Sequence, residues 1–461
     1  VLAGAVAAAT VAVAAALLGG PAAGVAVLAG VIGAVAFVAM PGVLFAAYLL
    51  LAFYKAAAQP FSPVDLTVIL GIANALQILP LMQERRPRAI SLAGLIAWSA
   101  LTLLLLAGVL YAPDQDLALD SAVRWWSLAF VPILPGALRT GSDARFVRQF
   151  VWSFFAMGTV TVLLGLSELS STQRLTVFAT NTIQVARAAL LVPIIGIAFV
   201  MREHRAVGAA VSIVLVPLSL IVAVGSGSRG PLAVLAVMAV VGVIRYLSRR
   251  PRLGWRAAGI IGALVLVSIA TVSTLASDLP AVSIERFGLL GDFVAQELAG
   301  ESGGLTSDTS AATRVTLFRL AVDLFIESPV LGAGTAGFEA LGPRFLSPLE
   351  AEPYPHNAVL QFAAELGVAG LSILVVLLAL AATRRLPPGN AERSVRLLVA
   401  FFFLNALISG DIFADRETWG LIMLVLMINA PGAATQRVAT TDSGASPIDR
   451  RPPAVAAAGS N

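Results

Sequence analysis

The chain has no cysteine among its 461 residues, which excludes disulfides and thiolate metal sites and leaves the redox compartment unmarked. Charge is scarce. Only 12% of residues are Asp, Glu, Lys or Arg, roughly half the fraction in a soluble domain. Histidine occurs twice, as His204 and His356. What fills the chain is apolar length: 58% of residues are hydrophobic and the mean hydropathy is +0.91. The apolar stretches recur at about 20 residues each, the length of a bilayer-spanning helix. Strands in lipid would instead alternate polar and apolar positions. The fold class expected is an all-α polytopic membrane protein. The net charge of +4 is no argument for a nucleic-acid partner, because nearly all the basic residues are arginines in short loops, where they set topology.

The expected spans are 1–18, 22–40, 42–57, 64–83, 89–110, 122–138, 147–166, 180–201, 206–225, 230–247, 257–276, 357–382, 395–411 and 418–431, twelve to fourteen crossings in all. The first run starts at Val1 with no basic n-region and is read as a helix of a trimmed chain, not as a signal peptide. Loop charge then alternates. "QERRPR" (83–88), "RTGSDARFVR" (139–148), "REHR" (202–205), "RYLSRRPRLGWR" (245–256) and "RRLPPGNAERSVR" (384–396) are Arg-rich, whereas "YAPDQDLALD" (111–120) and "SELSST" (167–172) lean acidic. The positive-inside rule makes the first set cytoplasmic and the second external. The protein is thus expected in the inner or plasma membrane, with the turn at Arg229 outside.

Four regions follow: N-terminal membrane helices (1–276), a long outer loop (277–356), C-terminal membrane helices (357–431) and a polar, disordered cytoplasmic tail (432–461). In the loop, "ATRVTLFRLAVDLFIESP" (312–329) spaces Val315, Phe318, Val322 and Phe325 three and four apart, predicting an amphipathic helix. "VLGAGTAGFEALGP" follows as a glycine-rich turn segment, and 284–299 is a weaker amphipathic candidate. Such helices lie on the membrane or cap the mouth of the bundle.

Three stretches carry chemistry. In "VAVGSGSRGPLAVLAV" (222–237), Arg229 stands among glycines and serines just ahead of Pro231, a helix-start signal. Glycine lets backbone approach a ligand, a helix N-terminus favours an anion, and an arginine adds a planar donor fork suited to phosphate. Ser228 and Gly230 support that turn. The bland alternative is an arginine snorkelling from a short loop. In "YPHNAVLQFAAELGVAGL" (354–371), His356 sits at a helix N-terminus, where imidazolium is disfavoured and a neutral general base is available. Asn357, Gln361 and Glu365 recur every four residues on one face below it, and an ionisable Glu365 inside a membrane helix has to face the bundle interior. The alternative there is a helix-capping histidine above an amide-lined packing face. In "ATNTIQVARAALLVP" (179–193), Arg187 lies about two turns into a helix behind Asn181 and Gln184. Arg187 and Arg229 are placed to clamp a diphosphate, with Arg314 as a third candidate. His204, in an Arg-rich loop, is read as solvated.

In their order, "SRGPL", the loop with "LFRLAVDLFIESPVLGAGTAGF" and "HNAVLQFAAELGVAGL" resemble the O-antigen ligase/O-antigen polymerase superfamily of membrane glycosyltransferases. The resemblance covers about 180–385, and His-Asn-x-x-Leu-Gln-x-x-x-Glu-x-Gly-x-x-Gly is its most specific element. It implies a GT-C-like architecture acting on the outer face with no nucleotide sugar, metal or other cofactor. The implied donor is a glycan on undecaprenyl diphosphate, and the implied acceptor is a hydroxyl of a lipid or of another glycan. Arg187 and Arg229 would bind the diphosphate and His356 would take the acceptor proton, giving inversion in a single displacement.

Two rivals stay open. Asp114 and Asp116 in "DQD" are the place for Mg²⁺ or Mn²⁺ in a metal-dependent enzyme of similar architecture, although a short acidic loop is more often solvated. A flippase for lipid-linked glycans would use the same diphosphate site, but transporters tend to show internal repeats and midplane charges that this chain does not. Asp411, Asp415 and Glu417 either contact sugar or are solvated; solvation is the expectation taken.

Overall fold

A computed structural model describes residues 39–55, 65–83, 91–169, 175–177, 180–249, 309–342 and 354–428. The expected spans 1–18 and 257–276, nearly all of 22–40, the segment 284–299 and the tail 432–461 lie outside the described residues. Within them every regular element is helical and there is no strand. In chain order these are α1 (Pro41–Leu49, running on as a 3-10 turn to Phe53), α2 (Leu66–Ala75), α3 (Ile78–Gln83), α4 (Leu92–Gly108), α5 (Gln115–Trp125) and α6 (Val131–Gly141). Then come α7 (Ala144–Ser167), α8 (Thr182–Ile195), α9 (Arg205–Gly225), α10 (Arg229–Arg249), α11 (Thr309–Glu327), α12 (Gly337–Leu341), α13 (Ala358–Thr383), α14 (Asn390–Ser409) and α15 (Arg416–Met427).

Starts are set by short polar residues. Asp65, Ser91, Asp114, Asp143, Asn181 and Asn357 each accept a backbone N–H of the turn that follows. A cap of this kind contributes about 1 kcal/mol. Asp114 is thereby committed as the cap of α5, and the helix starts inside what charge alone marks as loop because Ala118, Ser121, Ala122 and Trp125 bury one face of it, while Asp120 and Arg124 pair on its exposed side at 2.7 Å.

Among the described residues, six helical stretches are long and apolar enough to cross a membrane: Leu66–Gln83, Leu92–Tyr111, Gln115–Gly141, Ala144–Ser167, Thr182–Glu203 and Ala358–Thr383. The protein is an all-α polytopic membrane protein. Pro41–Phe53 and Ala210–Gly225 are shorter apolar helices. The helices pack where glycine admits a neighbouring backbone: a Cβ on Gly158 would lie 2.8 Å from the carbonyl oxygen of Ala188, so α7 and α8 touch along small residues. The main core gathers Phe45, Phe150, Phe154, Phe199, Phe362, Phe401 and Phe402, all buried. At its heart Trp98, Trp125 and Trp419 pack ring on ring, with centroids 5.1, 5.4 and 6.0 Å apart.

α11 stands outside that core. Its Leu317, Leu320, Ala321 and Leu324 form a second, smaller cluster with Phe338 and Ala364. The helix is where the sequence places it, but the buried stripe is offset from Val315, Phe318, Val322 and Phe325. Val322 is exposed, as are Ile326, Val330 and Leu331. The physical reason is that α11 is apolar on two faces, one against protein and one outward, and helical period alone does not choose between them.

α13 is broken within its apolar run. Gly367 has φ 59 and ψ −156, so 358–366 and 368–383 are two half-helices. The segment after α11 fills the break: Ala333 and Gly334 donate N–H to the carbonyls of Ala364 and Glu365, and Val368 and Ala369 donate to Pro329 and Val330. Those four bonds, 2.8–3.1 Å long, satisfy backbone groups that a helix end inside a membrane protein would otherwise leave orphaned.

Candidate functional site

One end of the bundle holds a cavity of about 230 Å³. Four elements build it: the start of α8 (Asn181, Thr182, Ile183), the α9–α10 turn (Gly227, Ser228, Arg229, Gly230, Pro231), Arg314 near the start of α11, and the end of α14 (Asn405, Ile408, Ser409). Two helix N-termini thus converge on one space. The turn between them is tight because Gly227 takes the left-handed φ of 67. Ser226 accepts the N–H of Ser228 at 3.2 Å, and the Ser228 hydroxyl donates to Thr182 Oγ1 at 3.3 Å, so the starts of α8 and α10 are hydrogen-bonded together. Converging N–H dipoles and two guanidinium groups are the chemistry that an anion with more than one charge would require.

Arg229 and Arg314, 85 residues apart in sequence, line that cavity together. Arg187 lies behind the wall. It is 3% exposed, and its Nη2 donates to the carbonyl of Ser409 at 3.1 Å. Its charge acts on Asp415 and Glu417 at the start of α15. Removing a buried cation that faces buried carboxylates costs roughly 3 kcal/mol. Arg187→Leu is therefore expected to lower the thermal unfolding midpoint in detergent, a loss that a donor-contact role alone does not produce.

Asp411, Asp415 and Glu417 correct the expectation of solvation. Asp415 and Glu417 are buried, and Asp411 is half-buried, accepting the Phe413 N–H at 3.0 Å and a bond from Gln361 Nε2 at 3.3 Å. Asp415 accepts the Thr418 hydroxyl at 2.9 Å. Burial pushes the Asp411 carboxyl up. Three carboxylates in a seven-residue turn read as a wet loop, but Gln361 of α13 holds Asp411, and Asp415 and Glu417 are buried within the field of Arg187 from α8. His204 is exposed, as expected.

His356 sits just before α13 with φ 56, a left-handed turn after Pro355 that histidine tolerates better than most residues. Asn357 then caps α13, its Oδ1 accepting the N–H groups of Val359 and Leu360 at 3.0 and 3.1 Å. The imidazole packs edge-on against Tyr354, centroids 4.5 Å apart, and its Nδ1 is buried with no hydrogen-bond partner among the described residues. Burial, and then the charge of Arg314, push its pKa down to about 4. The ring is neutral at pH 7, and it lies within the field of an arginine that lines the cavity.

The motif residues below it form one chain of bonds. Gln361 Nε2 donates to Glu365 Oε1 and to Asp411 Oδ1, both at 3.3 Å, while its Oε1 accepts the Ile412 N–H at 3.0 Å. Glu365, fully buried, accepts the Ala336 N–H at 3.2 Å. The sequence missed the α14 wall. Asn405 and Ser409 in "NALISG" are small polar residues ending an apolar run, a signal too common to single out.

A family model described as O-antigen ligase matches residues 213–375. The match supports placing the chain in the O-antigen ligase superfamily. It covers about a third of the chain and runs from within α9 into α13, so it contains Arg229, Arg314, His356 and the stitched break, whereas Arg187 lies before it. No curated protein matches the chain. The match and the helical architecture together point to a membrane glycosyltransferase-like enzyme.

Proposed function

We propose that the protein moves a glycan from undecaprenyl diphosphate to an acceptor hydroxyl on the outer face of the membrane, inverting the anomeric centre without metal. The observation that carries the reading is the joint placement of Arg229 and Arg314 on a cavity at two helix N-termini, with His356 in the field of Arg314. The donor diphosphate lies in the cavity. The acceptor oxygen gives its proton to His356 as it bonds to the anomeric carbon, and the bond from that carbon to the diphosphate oxygen breaks. Negative charge grows on the departing undecaprenyl diphosphate, against the two guanidinium groups that line the cavity. Arg187 adds the field of a third cation from behind the wall. The external position of this end, with the C-terminus cytoplasmic, rests on the alternation of loop charge.

Ligase and polymerase differ in the acceptor and use the same three groups, so the product decides between them. The test is transfer in proteoliposomes from a fluorescent undecaprenyl-diphosphate glycan to candidate lipid and glycan acceptors. Arg229→Ala and Arg314→Ala are each expected to lower transfer about 10²–10³-fold, the usual cost of losing one preorganised charge stabiliser. EDTA is expected to leave the rate unchanged. Inhibition by EDTA that Mg²⁺ or Mn²⁺ reverses would point to a metal enzyme. Labelled lipid crossing the bilayer with no glycan transferred would point to a flippase.

A further inference from the structure

We infer that Glu365 is a positioning residue, which holds α11 so that Arg314 stands over the cavity and beside His356. The inference rests on the proposed roles of Arg314 and His356. It starts from where α11 is anchored among the described residues. Its buried side chains belong to the small cluster with Phe338 and Ala364, not to the main core. Arg314 lies 13 residues ahead of the C-terminal end of α11, about 20 Å along a helix. Leu317 and Leu320, within two turns of Arg314, seat the helix on Phe338 and Ala364, so a shift of that cluster or of the glycine-rich turn beneath it is carried to the guanidinium.

Glu365 sits under that turn. One carboxylate oxygen accepts the N–H of Ala336, a residue held at φ 55 immediately before α12. α12 carries Phe338 into the small cluster against Leu317 and Leu320. The other oxygen accepts from Gln361, which ties the same half-helix to the segment after Ser409. The turn is also held through Thr335, whose hydroxyl donates to the carbonyl of Leu105 in α4 at 2.6 Å. The turn is thus bonded both to α13, through Glu365, and to α4, through Thr335, and neither residue reaches the cavity lining.

The two-histidine composition gives a direct readout. In full-length protein carrying labelled histidine, in micelles, NMR follows His356 with exposed His204 as an internal reference. Arg314 holds the His356 imidazole down, so a displaced Arg314 lets its midpoint rise. Loss of a carboxylate charge by itself has the opposite sign and lowers a histidine midpoint. Glu365→Gln and the uncharged swap Thr335→Val are each expected to raise the His356 midpoint by about half a unit to one unit, leaving His204 unmoved. The donor KM is expected to rise about tenfold in Glu365→Gln, the scale of one lost buried hydrogen bond. Glu365→Gln combined with Arg314→Ala is expected to be no worse than Arg314→Ala alone.

A His356 midpoint that stays or falls in both variants overturns the inference, as does full additivity with Arg314→Ala. The midpoint needs no turnover, so the two readings fail separately. Shifted midpoints in a protein that transfers no glycan leave the positioning role and remove the glycosyltransferase. Normal transfer with unshifted midpoints does the reverse.

Discussion

His356→Ala is expected to lower kcat for glycan transfer about 10²–10⁴-fold, the range a general base contributes, while donor binding in the Arg229–Arg314 cavity persists. The pH dependence tests the assignment further. In the free protein, burial and Arg314 hold His356 near 4. The neutral, competent ring is then lost only as pH falls through about 4, so the acid limb of kcat/KM lies well below the value of about 6.5 for an unperturbed histidine. Bound diphosphate brings negative charge against Arg314, offsets the cation and raises the basicity of the ring. The acid limb of kcat, which reports the loaded enzyme, is expected at higher pH than that of kcat/KM. The donor in this way strengthens the base that serves it. Superimposable limbs would mean that Arg314 does not touch the diphosphate while acting on His356.

Gly367→Ala is the substitution with the largest expected structural effect. A Cβ there would lie 2.5 Å from the carbonyl carbon and oxygen of Val330 and 2.7 Å from the nitrogen of Gly332, at a φ of +59 that alanine adopts only under strain. Relief requires the turn to leave the break, with loss of the four backbone bonds that stitch it. At about 1 kcal/mol for each bond and 1–2 kcal/mol for the left-handed residue, the loss is about 5 kcal/mol. Limited proteolysis between α11 and α12 is expected to accelerate strongly and donor affinity to collapse. Gly242→Ala is the control, because nothing lies within 4 Å of a Cβ there. That variant is expected to be neutral or slightly stabilised. Protease resistance in Gly367→Ala equal to that of the control would show that the break does not depend on glycine.

The parts of the site that sequence makes legible are local. The four-residue spacing of Asn357, Gln361 and Glu365 fixes one face of α13, and the glycines and serines around Arg229 announce a helix start. What sequence leaves hidden depends on distant partners. Nothing in the apolar run of α13 signals a break at Gly367, since no proline interrupts it and the groups that satisfy the broken backbone come from residues 329–334. The meeting of Arg229 with Arg314, and not with Arg187, turns on how α11 docks, and its two apolar faces make that docking ambiguous from spacing. Asp411, Asp415 and Glu417 look solvated until Gln361 of α13 is brought to Asp411 and the charge of Arg187 in α8 to Asp415 and Glu417. The helices that complete the bundle in the sequence reading, 1–18, 22–40 and 257–276, carry none of the candidate site residues.

The tryptophan cluster makes the molecule its own optical reporter. Trp98, Trp125 and Trp419 are close enough for their indole transitions to couple, and Trp419 also packs on Phe362 and donates its Nε1–H to the carbonyl of Ile412. Ile412 follows Ser409 of the cavity wall by three residues and is hydrogen-bonded to Gln361. Any shift of that wall when the site fills therefore reorients one chromophore of a coupled trio. The near-ultraviolet circular dichroism of the unlabelled protein becomes a gauge of site occupancy, read without dye, tag or turnover.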